Sequence, residues 1–204
     1  GGAWLLEESA PGETFTPERL SEEHRLIDQT AEEFVSKEIT PNHDQLETKD
    51  WELARQLVRR AGELGLMGTD VPEAYGGVEL DKASSVVVGC RIGQGGSFGS
   101  TYGAQPGLAI LPLQWFGTED QKARYLEKLV SGEWVGAYCL SESGSGSDAL
   151  GAKTRATSQD DGSYKISGEK MWITTGDQAG VIIVWARTGE AGSKGISCFL
   201  VPGD

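Results

Sequence analysis

The sequence predicts an α+β chain: an all-α helical domain at the N-terminus, followed by a partial antiparallel β-barrel-like domain. Three observations carry that expectation. Apolar residues recur with a helical period from Ser21 onward. Near Gly132 the texture changes to short runs of β-branched and aromatic residues, separated by Gly, Ser and Asp. Asp161-Gly162, between two such runs, is a hairpin signal because Gly accepts the positive φ of a tight turn.

Residues 1–15 mix Gly, Pro and acidic groups with the apolar patch Trp4-Leu5-Leu6 and are expected to be a lead-in. Thr16-Pro17 matches an N-cap followed by the first helical residue, where a missing N–H does no harm. From Ser21 to Ile39 the helical period runs through Leu26, Ile27, Ala31, Phe34 and Val35, and Pro41 is expected to stop it. Trp51 to Leu64 repeats the pattern and closes at Gly65. Ser84 to Ile92 and Leu108 to Phe116 are apolar enough to predict buried helices, and Gly93 to Gly99 a helix end. Thr118-x-x-Gln121 is a capping box that opens one more helix. Six strands are then expected: Trp134 to Leu140, Lys153 to Thr157, Tyr164 to Ile166, Met171 to Thr174, Val181 to Ala186 and Ile196 to Val201. The domain boundaries implied are 1–15, 16–132 and 133–204. A sheet ending at Asp204 leaves an open edge, which predicts that more chain follows.

Composition narrows the function classes. The chain has 204 residues and a formal charge of −13, which argues against nucleic-acid binding, because phosphate backbones reward clustered Lys and Arg. Cys90, Cys139 and Cys198 form no CxxC pair and lie in apolar settings, so they are expected to be small buried hydrophobes in a reducing compartment. No apolar run is long enough to span a bilayer, no metal-ligand spacing occurs, and no signal peptide is visible. A chain that starts without Met leaves room for a removed transit peptide. His24 and His43 lie in the first helical region and its exit and are expected at the surface.

Two stretches carry chemistry. Residues 138–148, YCLSESGSGSD, run from a strand into a loop rich in hydroxyls and free amides, where Gly lets the backbone approach an anion or a cofactor edge. The loop is neither a Walker loop nor a GxGxxG fingerprint. Residues 168–176, GEKMWITTG, place Trp172 and Thr174 two apart, so that on a strand an indole plane and a hydroxyl share one face. That pairing suits a flat heteroaromatic ligand with one hydrogen-bonding edge. A plain connector and a core Trp are the bland readings of each stretch taken singly.

Taken together, in this order and spacing, the two stretches resemble the acyl-CoA dehydrogenase family, whose patterns are YC(V/L)TEPGAGSD and G-x-K-x-WITN. Glu63 to Gly68, Val71 to Gly77 and Phe116 to Leu126 extend the resemblance over nearly the whole chain from Phe15. The lead-in and the Tyr102-Gly103-Ala104 segment look closer to its very-long-chain-like branch. The resemblance implies FAD held between the middle β domain and a C-terminal helical bundle that is absent from this sequence. It implies that Tyr138, Leu140 and Ser141 line the flavin ring, that Trp172 packs against it, and that Ile173 and Thr174 approach its N5 edge. Gly146 and Ser147 would contact FAD phosphate or the CoA part of the substrate. Tyr102 and Gln105 belong to the helix that resembles the wall of the acyl cavity.

The reaction implied is α,β-dehydrogenation of an acyl-CoA in fatty-acid β-oxidation or related catabolism, with electrons passed to an electron-transfer flavoprotein. No catalytic base is expected among these residues, since the family's Glu lies in the bundle; the chain alone is therefore expected to be inactive. Glu142 is expected to serve the scaffold as a partner for backbone amides. Homo-oligomers are usual in the family, and the expected location is the cytoplasm of a bacterium or a mitochondrial matrix. A relative with oxidase or flavin monooxygenase chemistry, and a non-catalytic assembly protein on the same fold, are the alternatives. The chain departs from the family pattern at Ser141 for Thr, Ser143 for Pro, Thr175 for Asn, and Gln105 where close relatives often have His.

Overall fold

Capping side chains start most of the longer helices where the sequence places them. The computed structural model describes residues 6–8, 10, 12–190 and 192–203. Trp4, Leu5 and Asp204 lie outside the described residues, and Leu6 is exposed. Helix α1, Glu22–Phe34, is capped by Ser21. A short helix α2, His43–Glu47, precedes α3, Trp51–Glu63, which Asp50 caps. Asp81 caps α4, Lys82–Ile92. Helix α5, Ser97–Gly103, continues through a π-helical stretch, Ala104–Ile110, into α6, Leu111–Phe116. The Thr118–Gln121 capping box forms in both directions at the start of α7, Glu119–Val130.

Pro41 does not stop the first helical run. The chain widens into a π-helical segment, Val35–Ile39, and then passes through a 3₁₀ turn, Thr40–Asn42, into α2. The Thr40 N–H reaches back to the Val35 carbonyl, a longer bond than the α-helical one. That shift of register takes the chain past a proline that lacks a donor and crowds the preceding turn. The same device precedes Pro112, where the Leu111 N–H bonds the Pro106 carbonyl. Thr16 precedes only a 3₁₀ turn, Pro17–Arg19, and its side chain makes no cap bond. The helix around Leu108 to Phe116 is open on one side, with Leu108, Trp115 and Phe116 exposed.

His24 is buried, not at the surface; His43 is exposed. The Ser21 N–H donates to His24 Nδ1 at 3.0 Å, which leaves the ring proton on Nε2 to be donated to Asp81 at 2.8 Å. One imidazole thus ties the N-terminus of α1 to the N-cap of α4. His24→Ala removes both bonds and empties a buried position, and should lower stability by about 1–3 kcal/mol. The check is a lower urea midpoint with an unchanged denaturant slope. The cysteines also depart from expectation: Cys90 and Cys198 are exposed and Cys139 is partly buried.

The sheet is mixed where an antiparallel one was expected. Strands β1 (Val135–Cys139), β2 (Arg155–Ser158), β3 (Tyr164–Ser167), β4 (Ala179–Arg187) and β5 (Ile196–Pro202) form one five-stranded sheet among the described residues. β4 is central: β1 and β2 pair with it in parallel, and β5 antiparallel. Parallel pairing needs a crossover of a dozen residues or more. Residues 140–178 supply it, with the β2–β3 hairpin inside. Gly162 turns that hairpin at φ 82°. One apolar core lies among the helices, centred on Phe34, Leu66 and Phe98. A second, with Ala109, Leu113, Leu126, Leu129 and Val181, packs the π-helical stretch, α6 and α7 against the sheet.

Candidate functional site

The loop of the first motif is pinned by its own carboxylate. β1 ends at Cys139, and residues 140–142 run beside residues 170–171. The Met171 N–H donates to the Ser141 carbonyl at 3.0 Å, and Lys170 Nζ donates to the Leu140 carbonyl at 2.9 Å and to Glu142 at 2.8 Å. Glu142 also accepts the N–H groups of Lys153, at 2.6 Å, and Thr154, at 3.0 Å. Both side chains of this ion pair are only 9% exposed. Burial would raise the Glu142 carboxyl, but the bonds from Lys170, Lys153 and Thr154 outweigh it and hold the group down to about 2. A pKa lowered on folding favours the folded state above the ordinary carboxylate range, and that contribution fades as pH falls towards 2. Glu142 is therefore the scaffold group that the sequence led us to expect.

Beyond Glu142 the loop opens to solvent. Glu142 and Ser145 exchange backbone bonds, and the buried Ser145 hydroxyl donates to the Asp148 carbonyl. Ser143, Gly144, Gly146 and Ser147 are exposed. Tyr138, Leu140 and Ser141 are half-buried. The Tyr138 ring meets Trp185 edge-on at 6.1 Å and walls an apolar cleft of about 470 Å³ with Leu113, Phe116, Ile183 and Leu200.

The second motif is not a strand. Residues 171–173 are irregular, and 174–178 form a turn. Trp172 and Thr175 both have φ of 60°. A left-handed residue breaks the alternation of an extended chain, so the expectation that Trp172 and Thr174 share a strand face fails. What they share is exposure: the Trp172 indole is 85% exposed, Thr174 is exposed, and Ile173 is half-buried. Bulky or β-branched residues in this region cost about 1–3 kcal/mol each and persist only where the surroundings over-determine them. Here Thr175 is buried and its hydroxyl lies 2.9 Å from the Gly136 carbonyl of β1.

Tyr102 and Gln105 face inward. The Tyr102 hydroxyl donates to the Leu66 carbonyl at 2.5 Å, and burial pushes its phenol pKa up. Gln105 is 0% exposed; its Oε1 accepts the Gly136 N–H at 2.7 Å and its Nε2 lies 3.4 Å from the Gly136 carbonyl. It bridges the π-helical stretch to β1. The structure thus gathers Leu140, Ser141 and the residues leading into Trp172, and gives Tyr102 and Gln105 internal roles. The sequence reading gave Lys170 and Gly136 no role and met Thr175 only as a departure from the family's Asn. A lysine inside a motif reads as a surface charge, and nothing in the spacing says that it returns to a glutamate 28 residues earlier.

Comparison with known proteins agrees along the chain. Residues 21–133 match the acyl-CoA dehydrogenase N-terminal domain, and residues 137–204 match the acyl-CoA dehydrogenase middle domain. A probable acyl-CoA dehydrogenase of Bacillus subtilis is 45% identical over 188 residues, which is 92% of this chain and 32% of that protein. The fold superposes on an acyl-CoA dehydrogenase complexed with FAD from Bacillus anthracis with a TM-score of 0.91 and 44% identity, covering 100% of this chain and 35% of that one. A chain in the structure of the electron transferring flavoprotein of Acidaminococcus fermentans gives 0.79 and 32% identity, covering 92% and 49%. The chain thus spans about a third to a half of the length of these proteins.

Proposed function

The chain belongs to the acyl-CoA dehydrogenase family, and from that premise we propose that it forms the helical and β-sheet walls of an FAD-dependent enzyme that dehydrogenates acyl-CoA thioesters between Cα and Cβ. In this reading residues 16–132 form the helical domain and residues 133–204 belong to the middle β domain. The observation that carries it is the juxtaposition of the Leu140–Ser147 loop with the turn that exposes Trp172 and Thr174.

The exposed groups fit a flavin dinucleotide. Trp172, 85% exposed, offers a stacking plane, and Thr174 and Ser147 are exposed as well. Tyr138, Leu140, Ser141, Trp172, Ile173 and Thr174 would hold the ring, and the amides at Gly146 and Ser147 would meet a phosphate of the cofactor or of CoA. When bound, the flavin would supply the two-electron acceptor for the reaction. The chain's own contribution is positioning: the clamp at Glu142 fixes the loop, and the buried Thr175 hydroxyl steadies the turn. Glu142 is no candidate for the proton acceptor, because three donors already hold its carboxylate. An acyl-CoA substrate, an electron-transfer flavoprotein as electron acceptor and a homo-oligomeric assembly complete the reading. No helix among the described residues is long and apolar enough to cross a membrane; we place the enzyme in the bacterial cytoplasm or the mitochondrial matrix on the family resemblance.

The test is Trp172→Ala in the protein at its native length. Loss of the stacking plane should weaken FAD binding by roughly 1–3 kcal/mol, by analogy with other base–aromatic stacks, or about fivefold to 150-fold. Flavin fluorescence quenching on titration reads this directly, and unchanged affinity would count against the assignment.

A further inference from the structure

We propose that Lys170 and Glu142 are positioning residues for the flavin site: a buried ion pair that sets the distance between the Leu140–Ser141 edge and the Trp172 turn. The inference rests on the proposed FAD reading but is carried by separate observations.

The pair crosses between the two motifs at the point where the outer loop on one side and Trp172 on the other face solvent. Gly144 and Gly146 have open space where a side chain would begin, so neighbouring packing does not restrain the outer loop there. On the other side, Trp172 leaves the clamp in a left-handed conformation with most of its ring in solvent. Between them, Lys170 grips both a backbone carbonyl and the carboxylate, while Glu142 grips two amides at the entry to β2. Three chain segments therefore meet on one carboxylate: 140–142, 153–154 and 170–171. A loop held this way keeps the backbone at Ser141 and Met171 in register, as their 3.0 Å bond shows. For a ligand lying across both segments, a displacement of about 1 Å is enough to lose up to roughly a hundredfold in a positioned interaction.

A structural salt bridge and a positioning one respond differently to paired replacement. Removing one partner strands a buried charge and destabilises the fold. Replacing both by apolar side chains of similar size often leaves stability unchanged or improved. The test compares Glu142→Gln, Lys170→Met and the double variant Lys170→Met/Glu142→Leu, in the protein at its native length. Urea midpoints report the fold, amide hydrogen exchange at Met171 in flavin-free protein reports the register, and a titration with FAD reports the site.

We expect the double variant, which leaves the Lys153 and Thr154 N–H groups without the Glu142 acceptor, to keep a cooperative urea transition at a lowered midpoint. Its Met171 exchange should rise about tenfold or more, and its FAD affinity should fall by roughly tenfold to a hundredfold. Glu142→Gln keeps the shape and should show a smaller change in the same direction. A folded double variant, or a folded Glu142→Gln, with parental Met171 protection and parental FAD affinity overturns the proposal. If the parental protein takes no FAD while Met171 exchange rises as expected, the flavin reading fails and the clamp stands.

Discussion

A polypeptide confined to these 204 residues is expected to dehydrogenate acyl-CoA thioesters at least about 10²- to 10⁴-fold more slowly than a complete enzyme of the family, the range that a positioned general base contributes. The carboxylate inside the first motif cannot take the α-proton: it is held by Lys170 and two backbone amides, and its pKa of about 2 makes it a weak base. A flavin stacked on Trp172 would also be open to water, since that indole is 85% exposed, whereas ligand sites normally bury most of their ligand. On the expectation that the family's proton acceptor lies in the C-terminal bundle, loss of enclosure adds to its loss, so the deficit should exceed the lower bound. The check is a dye-linked acceptor assay with added FAD and acyl-CoA substrates of several lengths. Turnover within the usual range of about 1 to 10³ per second would show that the chain carries a base of its own.

Gly136→Val should be the most damaging single substitution at the junction of helix and sheet. Even a Cβ at Gly136 would lie 2.4 Å from the Ala109 Cβ and 3.3 Å from Leu129 Cδ2. The π-helical stretch cannot retreat without breaking the Gln105 bonds to both backbone groups of Gly136, in a place where Gln105 has no access to water. Overpacking costs about 1–3 kcal/mol and stranding a buried polar group a similar amount. A combined loss of about 2–6 kcal/mol is a large share of the roughly 5–15 kcal/mol that holds a domain together. The readout is the urea midpoint. Ala109→Gly in the same background opens the space and should recover part of the loss; no recovery would mean that the clash lies elsewhere.

Both results depend on features that the sequence shows unequally. Local signals were legible. The Thr118–Gln121 box starts α7 and Gly162 turns the β2–β3 hairpin, because each acts within three or four residues of itself. The passage from helices to strands between Val130 and Val135 was legible for the same reason, since periodicity is a local property. The order and spacing of the two motifs also pointed to the family, and the family pattern in turn gave Glu142 its role as a scaffold group.

What the sequence could not determine are the long-range pairings. His24 looked like a surface residue until Asp81, 57 residues away, supplied its partner. Met171 to Thr174 has strand-forming composition, yet Thr175 bonds a carbonyl 39 residues away, and two left-handed residues turn the chain outward. The parallel pairing of β1 with β4 depends on a crossover whose direction no local pattern records. In each case the deciding energy is a buried hydrogen bond or ion pair between distant segments. Burial is decided only when those segments meet, so the tertiary structure alone chose which polar groups became the clamp and which were left facing solvent.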